Sequence, residues 1–209
     1  QYGEFTGALV LPDNETRVPL PQGYGYMGGI VGDAGLDYGA YYPLIVQDYY
    51  SRPSEIISCR FSGTIDARQP SGVFIEAVYA GGICGRAFDF RITDAEVCGD
   101  ITSYYANGLT GALFDGATQL IERAVIGDTA LTGYEEGYEG ITDSQNCTDV
   151  FVENGACSSI PHPFVSVSDW NTVSGLSSLL WQYGSGRPSL HYAGLLGDDF
   201  SLPLWDLPE

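Results

Sequence analysis

The side chains able to carry nucleophilic chemistry are few. They are Cys59, Cys84, Cys98, Cys147 and Cys157, with His162 and His191 as the only imidazole bases. A cysteine nucleophile needs a thiolate activated by a nearby base, and donors for the developing oxyanion. Cys84 has the most suggestive surroundings, in Gly81-Gly82-Ile83-Cys84-Gly85-Arg86-Ala87-Phe88-Asp89-Phe90. His162 lies between Pro161 and Pro163, as in a surface loop, and His191 falls in a strand-like run. No CxxC pair or Cys/His metal spacing occurs. Asp198-Asp199 and Glu135-Glu136 are adjacent carboxylates without an EF-hand spacing. Solvated faces explain them as well as a cation site does, and neither a metal nor a cofactor is expected.

Composition bounds the setting. The 209 residues carry 27 Asp+Glu against 8 Lys+Arg, a formal charge of −19. That balance disfavours nucleic acid and anionic membranes and suits a soluble protein with a basic partner. No run is long and apolar enough to span a membrane as a helix. Asn14-Glu15-Thr16 and Asn146-Cys147-Thr148 fit the N-glycosylation tripeptide. With five cysteines they predict an oxidising, extracellular setting, and Gln1 reads as the start of a processed chain. The odd count leaves one cysteine free or paired between chains.

Elements that could position Cys84 follow from periodicity. Residues 1–65 form a Gly-, Tyr- and Pro-rich β segment with strands expected at Gly7–Leu11 and Tyr41–Val46, and no repeat period is apparent in it. A short helix is expected from Cys84 to Phe90. Leu113, Phe114, Ala117, Leu120, Ile121 and Val125 recur at helical spacing and predict a helix over Leu113–Val125. Thr129–Gln145 reads as an acidic loop. Val173, Leu176, Leu179, Leu180 and Tyr183 predict a second helix, Thr172–Tyr183, capped by Asp169 or Asn171 and stopped at Gly184. Ser189–Leu196 reads as a strand.

The Cys84 stretch resembles Gln-Gly-x-Cys-Gly-Ser-Cys-Trp-Ala-Phe, the active-site signature of papain-like cysteine peptidases. Further pieces follow in that family's order. Asp66-Ala67-Arg68 is similar to the Asp-Trp-Arg opening of mature members, and Thr93–Cys98 to a segment ending in Cys. Gly108–Ala117 is similar to Gly-Cys-x-Gly-Gly-Leu-Met-Asp-x-Ala, Tyr138-Glu139-Gly140 with Cys147 to Tyr-x-Gly…Cys, and Gly186–Leu190 to Gly-Pro-Val-Ser-Val. The resemblance implies an α+β fold, a helical half packed against an antiparallel β-barrel-like half, over 66–209. Residues 1–65 would supply permuted barrel strands or be an unrelated β-rich extension.

The same resemblance implies lost catalysis. The nucleophile position falls on Ala87 and the oxyanion Gln position on Gly81, while Arg86 replaces a small Ser. Gly81, Cys84, Gly85, Arg86, Ala87 and Phe88 would then be relic positions. The family's pattern implies a Cys98–Cys147 disulfide, and leaves Cys84 to pair with Cys59 or Cys157 or stay free. The expected function is a secreted pseudoenzyme with a structural or binding role. It would form a homo-oligomer or bind an extracellular protein, with fibre or matrix assembly through strand exchange. The alternatives are a cysteine hydrolase using Cys84 and an acidic cation-binding protein.

Overall fold

Strands succeed one another along this chain and pair almost entirely in parallel. The computed structural model describes residues 3–10, 24–34, 54–67, 77–87, 90–113, 119–133, 139–140, 147–153, 165–184 and 186–190. In chain order these hold β1 (Gly3–Phe5), β2 (Ala8–Val10), β3 (Tyr24–Gly28), β4 (Val31–Ala34), β5 (Ser54–Phe61), β6 (Thr64–Asp66), β7 (Ala77–Gly81), β8 (Cys84–Ala87) and β9 (Phe90–Ser103). They continue with β10 (Tyr105–Asn107), β11 (Thr110–Leu113), β12 (Gln119–Gly133), β13 (Glu139–Gly140), β14 (Cys147–Glu153), β15 (Val165–Val167), β16 (Trp181–Gln182) and β17 (Ser189–Leu190).

Three parallel sheets result. Sheet A runs β1-β5-β9-β12-β14-β15, with β2 and β6 pairing beside the second arm of β9. Sheet B runs β13-β10-β7-β3, and sheet C runs β11-β8-β4. The chain visits A, then B, then C, and returns to A one layer further on. This is a parallel β-solenoid, in which each coil rests on its neighbours.

In-register stacking places like residues over like. Ile56, Ile92 and Ile121 form one inward row, continued by Cys147. Phe5, Phe61, Val97, Ile126 and Val152 form another. Ile56, Ile92, Ile121, Phe61, Val97, Ile126 and Val152 are buried, each contributing about 1.5–3 kcal/mol. A bend interrupts sheet A. Ser58, Asp94, Arg123 and Asp149 occupy one register row and all have positive φ, from 52° to 56°. The left-handed turn recurs on four successive strands, so the sheet folds around a corner without losing its pairing.

These observations correct the expected α+β, papain-like fold. The described residues are nearly all β and contain no α-helix and no antiparallel barrel half. The expected helix Leu113–Val125 instead holds the end of β11 and the first part of β12. Two of the residues that set its helical spacing, Ile121 and Val125, lie on opposite faces of β12, one in the core and one under Trp181 and Leu190. Ile121 and Ala124 both face the interior, three residues apart, because the left-handed residue between them resets the alternation. The expected helix Thr172–Tyr183 is an irregular strap. It holds one 3-10 turn, Trp170–Thr172, and then bends past Gly175, whose φ is +97°. Asp169 does cap that turn, accepting from Asn171 N at 3.0 Å. The expected short helix at Cys84 is β8, and the loop expected from Thr129 begins as the continuation of β12. The strand expected at Gly7–Leu11 is found as β2, and that at Ser189–Leu196 begins as β17. The Tyr41–Val46 strand lies outside the described residues. The boundary drawn between residues 65 and 66 falls inside β6.

Candidate functional site

The stretch singled out for chemistry is a corner of the solenoid. Tyr79-Ala80-Gly81-Gly82-Ile83-Cys84-Gly85 closes β7, turns and opens β8. Tyr26-Met27-Gly28-Gly29-Ile30-Val31-Gly32 and Tyr105-Ala106-Asn107-Gly108-Leu109-Thr110-Gly111 occupy the same place on the flanking coils. The residues matching the peptidase signature are thus one copy of a corner repeat, Tyr-x-Gly/Asn-Gly-Ile/Leu-x-Gly. Its unequal spacing along the chain hides it from a search for a fixed period.

Close backbone packing explains the glycines of that repeat. Gly29 N donates to Gly81 O at 3.2 Å, Gly82 N to Gly108 O at 3.0 Å, and Ile83 N to Leu109 O at 3.0 Å. Coils approach so closely that a Cβ on Gly81 would lie 2.5 Å from Gly111 N. One on Gly85 would lie 2.6 Å from Met27 N. Ile30, Ile83 and Leu109 point from the corner into the core.

The candidate positions fall as follows. Cys84 is fully buried in the interior, and its Sγ donates to Arg86 O at 2.7 Å. Ala87 is buried beside it, at the end of β8. Arg86 faces outward, with its guanidinium carbon 4.8 Å from the Tyr26 ring centroid. Phe88, Cys157, His162, His191, Asn14 and Asn146 lie outside the described residues. Cys59 is buried, with Sγ directed to Ile57 O at 3.4 Å. Cys98 is a free thiol, so the structure does not form the expected Cys98–Cys147 bridge. Among the described residues no group of three or more His, Cys, Asp or Glu is placed to hold a metal ion.

Sequence reasoning missed the clusters on the outer face of sheet A. Glu4, Arg60, Glu96, Val125, Phe151 and Val165 share one register row. Its charged half surrounds Glu96, which is fully buried. Arg60 Nε lies 3.6 Å from Glu96 Oε2, and Arg187 Nη2 lies 3.8 Å from Glu96 Oε1. Leu190 N donates to Glu96 Oε2 at 2.8 Å. Arg187 also reaches Glu153, at 3.6 Å. Burial pushes the Glu96 carboxyl above the usual carboxylate range, against the pull of the Leu190 N–H and both guanidinium groups. Burial, helped by the Glu96 charge, also pushes the Cys98 thiol up. A thiol held in its protonated form is a poor nucleophile.

A second cluster lies at the bend. Asp94 accepts from Arg123 Nε at 2.9 Å, Arg123 Nη2 at 3.1 Å and Trp181 Nε1 at 2.8 Å. The bond to Asp94 raises the Arg123 pKa further, fixing its charge. Beside both clusters, Val173, Leu176, Trp181 and Leu190 pack against Val125 and Phe151. The two charged groups therefore hold the strap, 168–190, on the outside of sheet A. Their sequence signal was faint, an acidic residue flanked by β-formers in β9.

The outer face of sheet B carries a tyrosine row. Tyr26 and Tyr79 stack with centroids 5.7 Å apart, and Tyr79 and Tyr105 with centroids 4.2 Å apart and planes at 17°. Tyr104 meets Tyr105 edge-on, at 4.8 Å and 77°. All four rings are half-buried.

Comparison with protein-family models, with curated proteins and with solved structures finds no match.

Proposed function

We propose that this chain is a non-catalytic extracellular module with a structural or binding role, assembling through the ends of its solenoid. One observation carries the assembly. Among the described residues, β1, β3 and β4 at one end and β11, β13 and β15 at the other each pair on a single side. A strand edge with free backbone groups is a template for another strand, and head-to-tail contact, one end of a copy against the opposite end of the next, propagates. The charge of −19 sets a repulsive threshold that salt or a basic partner lowers.

Support for a non-catalytic role comes from the fate of the candidate nucleophile. Cys84 lies inside the coil stack, and the glycines around it are committed to backbone contact. Light scattering on a size-exclusion column, at rising protein and salt concentration, tests the assembly. Mass growing in multiples of the 22.5 kDa chain is expected, and a strict monomer throughout overturns it. A thiol-reactive probe with a fluorogenic peptide panel tests the other half. Turnover lost in Cys84→Ala would establish the hydrolase instead. Glycan mapping at Asn14 and Asn146 tests the extracellular setting.

A further inference from the structure

We infer that Tyr79 and Tyr105 form a site of oxidative cross-linking, where a peroxide-driven one-electron oxidant joins two neighbouring coils through a biaryl bond. The inference stands apart from assembly, because both residues belong to one chain. The solenoid register sets them directly opposite each other on β7 and β10. Their ring centroids are 4.2 Å apart with planes at 17°, the tightest and most nearly parallel tyrosine pair of the row among the described residues. Parallel strands about 4.8 Å apart keep the two rings side by side. Both rings sit on the outer face and are half-exposed, so an oxidant reaches them and they can turn without disturbing the core.

The chemistry balances as follows. Each phenol gives up one electron and one proton, leaving a phenoxyl radical with spin density on its ortho carbons. The two ortho carbons bond. The hydrogens they carried then leave those carbons, and each phenol oxygen regains a proton. The pair has lost two hydrogens in total. One hydrogen peroxide takes up the two electrons and two protons and becomes two waters.

Neighbouring contacts select this pair within the row. Arg86 holds its guanidinium over Tyr26, and a fixed cation at the ring face opposes withdrawal of an electron. Tyr26 is also further from Tyr79, at 5.7 Å. Tyr104 stands at 77° to Tyr105, pointing an edge at its ring and not presenting one ortho carbon to another.

The test treats the dilute folded chain with a haem peroxidase and hydrogen peroxide. Dityrosine fluorescence is then measured and cross-linked peptides are mapped by mass spectrometry. The expected product is monomeric, with the Tyr79 peptide joined to the Tyr105 peptide and two hydrogens lost. Tyr79→Phe and Tyr105→Phe each keep an aromatic ring in the stack, and each should abolish that product. Tyr104→Phe should leave it in place. Circular dichroism of each variant confirms that the solenoid persists. A dominant Tyr104–Tyr105 link, a purely intermolecular product, or the same pattern from the urea-unfolded chain overturns the inference.

Discussion

The corner between sheets B and C and the strap outside sheet A bury their residues by opposite means. At the corner one short pattern recurs on three coils, and its contacts between coils include backbone on backbone and an apolar side chain packed over its copy. The strap has no repeat and little regular structure. It is held by Trp181, Leu176 and Leu190 and by buried carboxylates that occur once each. Repetition gives the solenoid a core in which each layer templates the next. The strap depends on single contacts, so its loss need not carry the coils with it.

Substitutions should separate the two regions. Gly81→Val drives a side chain into the backbone of the next coil, and should cost more than about 3 kcal/mol. Urea denaturation should show the whole molecule losing stability, and unchanged unfolding would mean that the coils are not packed this tightly. Trp181→Ala should cost about 3 kcal/mol, confined to the strap. Hydrogen exchange should quicken over 168–190 while β9 and β12 stay protected. Exchange rising equally in both regions would erase the distinction.

Asp94→Asn preserves the shape of a residue at φ 54° but removes the charge facing Arg123. A loss of about 2 kcal/mol is expected in strap protection. The smallest effect concerns pH. The folded-state pKa of Cys98 is raised, so its contribution is complete below the ordinary thiol range and is lost as pH rises through the folded value. Alkaline titration should therefore lower the stability of the folded chain, and Cys98→Val should flatten that response. Glu96 has the same sign in the acid range. Burial raises its pKa, so this group favours the folded chain as pH falls through the folded value, and Glu96→Gln should remove that trend. The urea midpoint measured across pH reads both.

How far the sequence disclosed this architecture differs between the regions. Strands at Ala8–Val10 and Ser189–Leu190, and the Asp169 cap, are visible in local pattern. The corner repeat was also present, as Tyr-x-Gly-Gly-Ile-x-Gly at Tyr26 and again at Tyr79. Unequal coil lengths concealed it, and a single copy invited comparison with a peptidase signature. In β12, Ile121 faces the core and Val125 faces the strap, so two buried faces four residues apart imitate a single helical stripe. In the strap, Val173 and Leu176 are three apart, but turns at Asp169 and Ser177 carry them, while Leu179 is exposed and Tyr183 turns its hydroxyl back to donate to Leu176 O at 3.0 Å. The Glu96 and Asp94 clusters join residues far apart in sequence, a juxtaposition created by the stacking of coils together with the docking of the strap.

The uneven coils have one more consequence. The return from sheet C to sheet A takes residues 35–53 after β4, 88–89 after β8 and 114–118 after β11. One junction thus accepts very different lengths of chain while the strands on either side keep their register. For protein engineering it is a graft point: peptides spliced into successive returns would be displayed in a line, about one strand spacing apart. The display scaffold would be set by the coils and indifferent to the cargo.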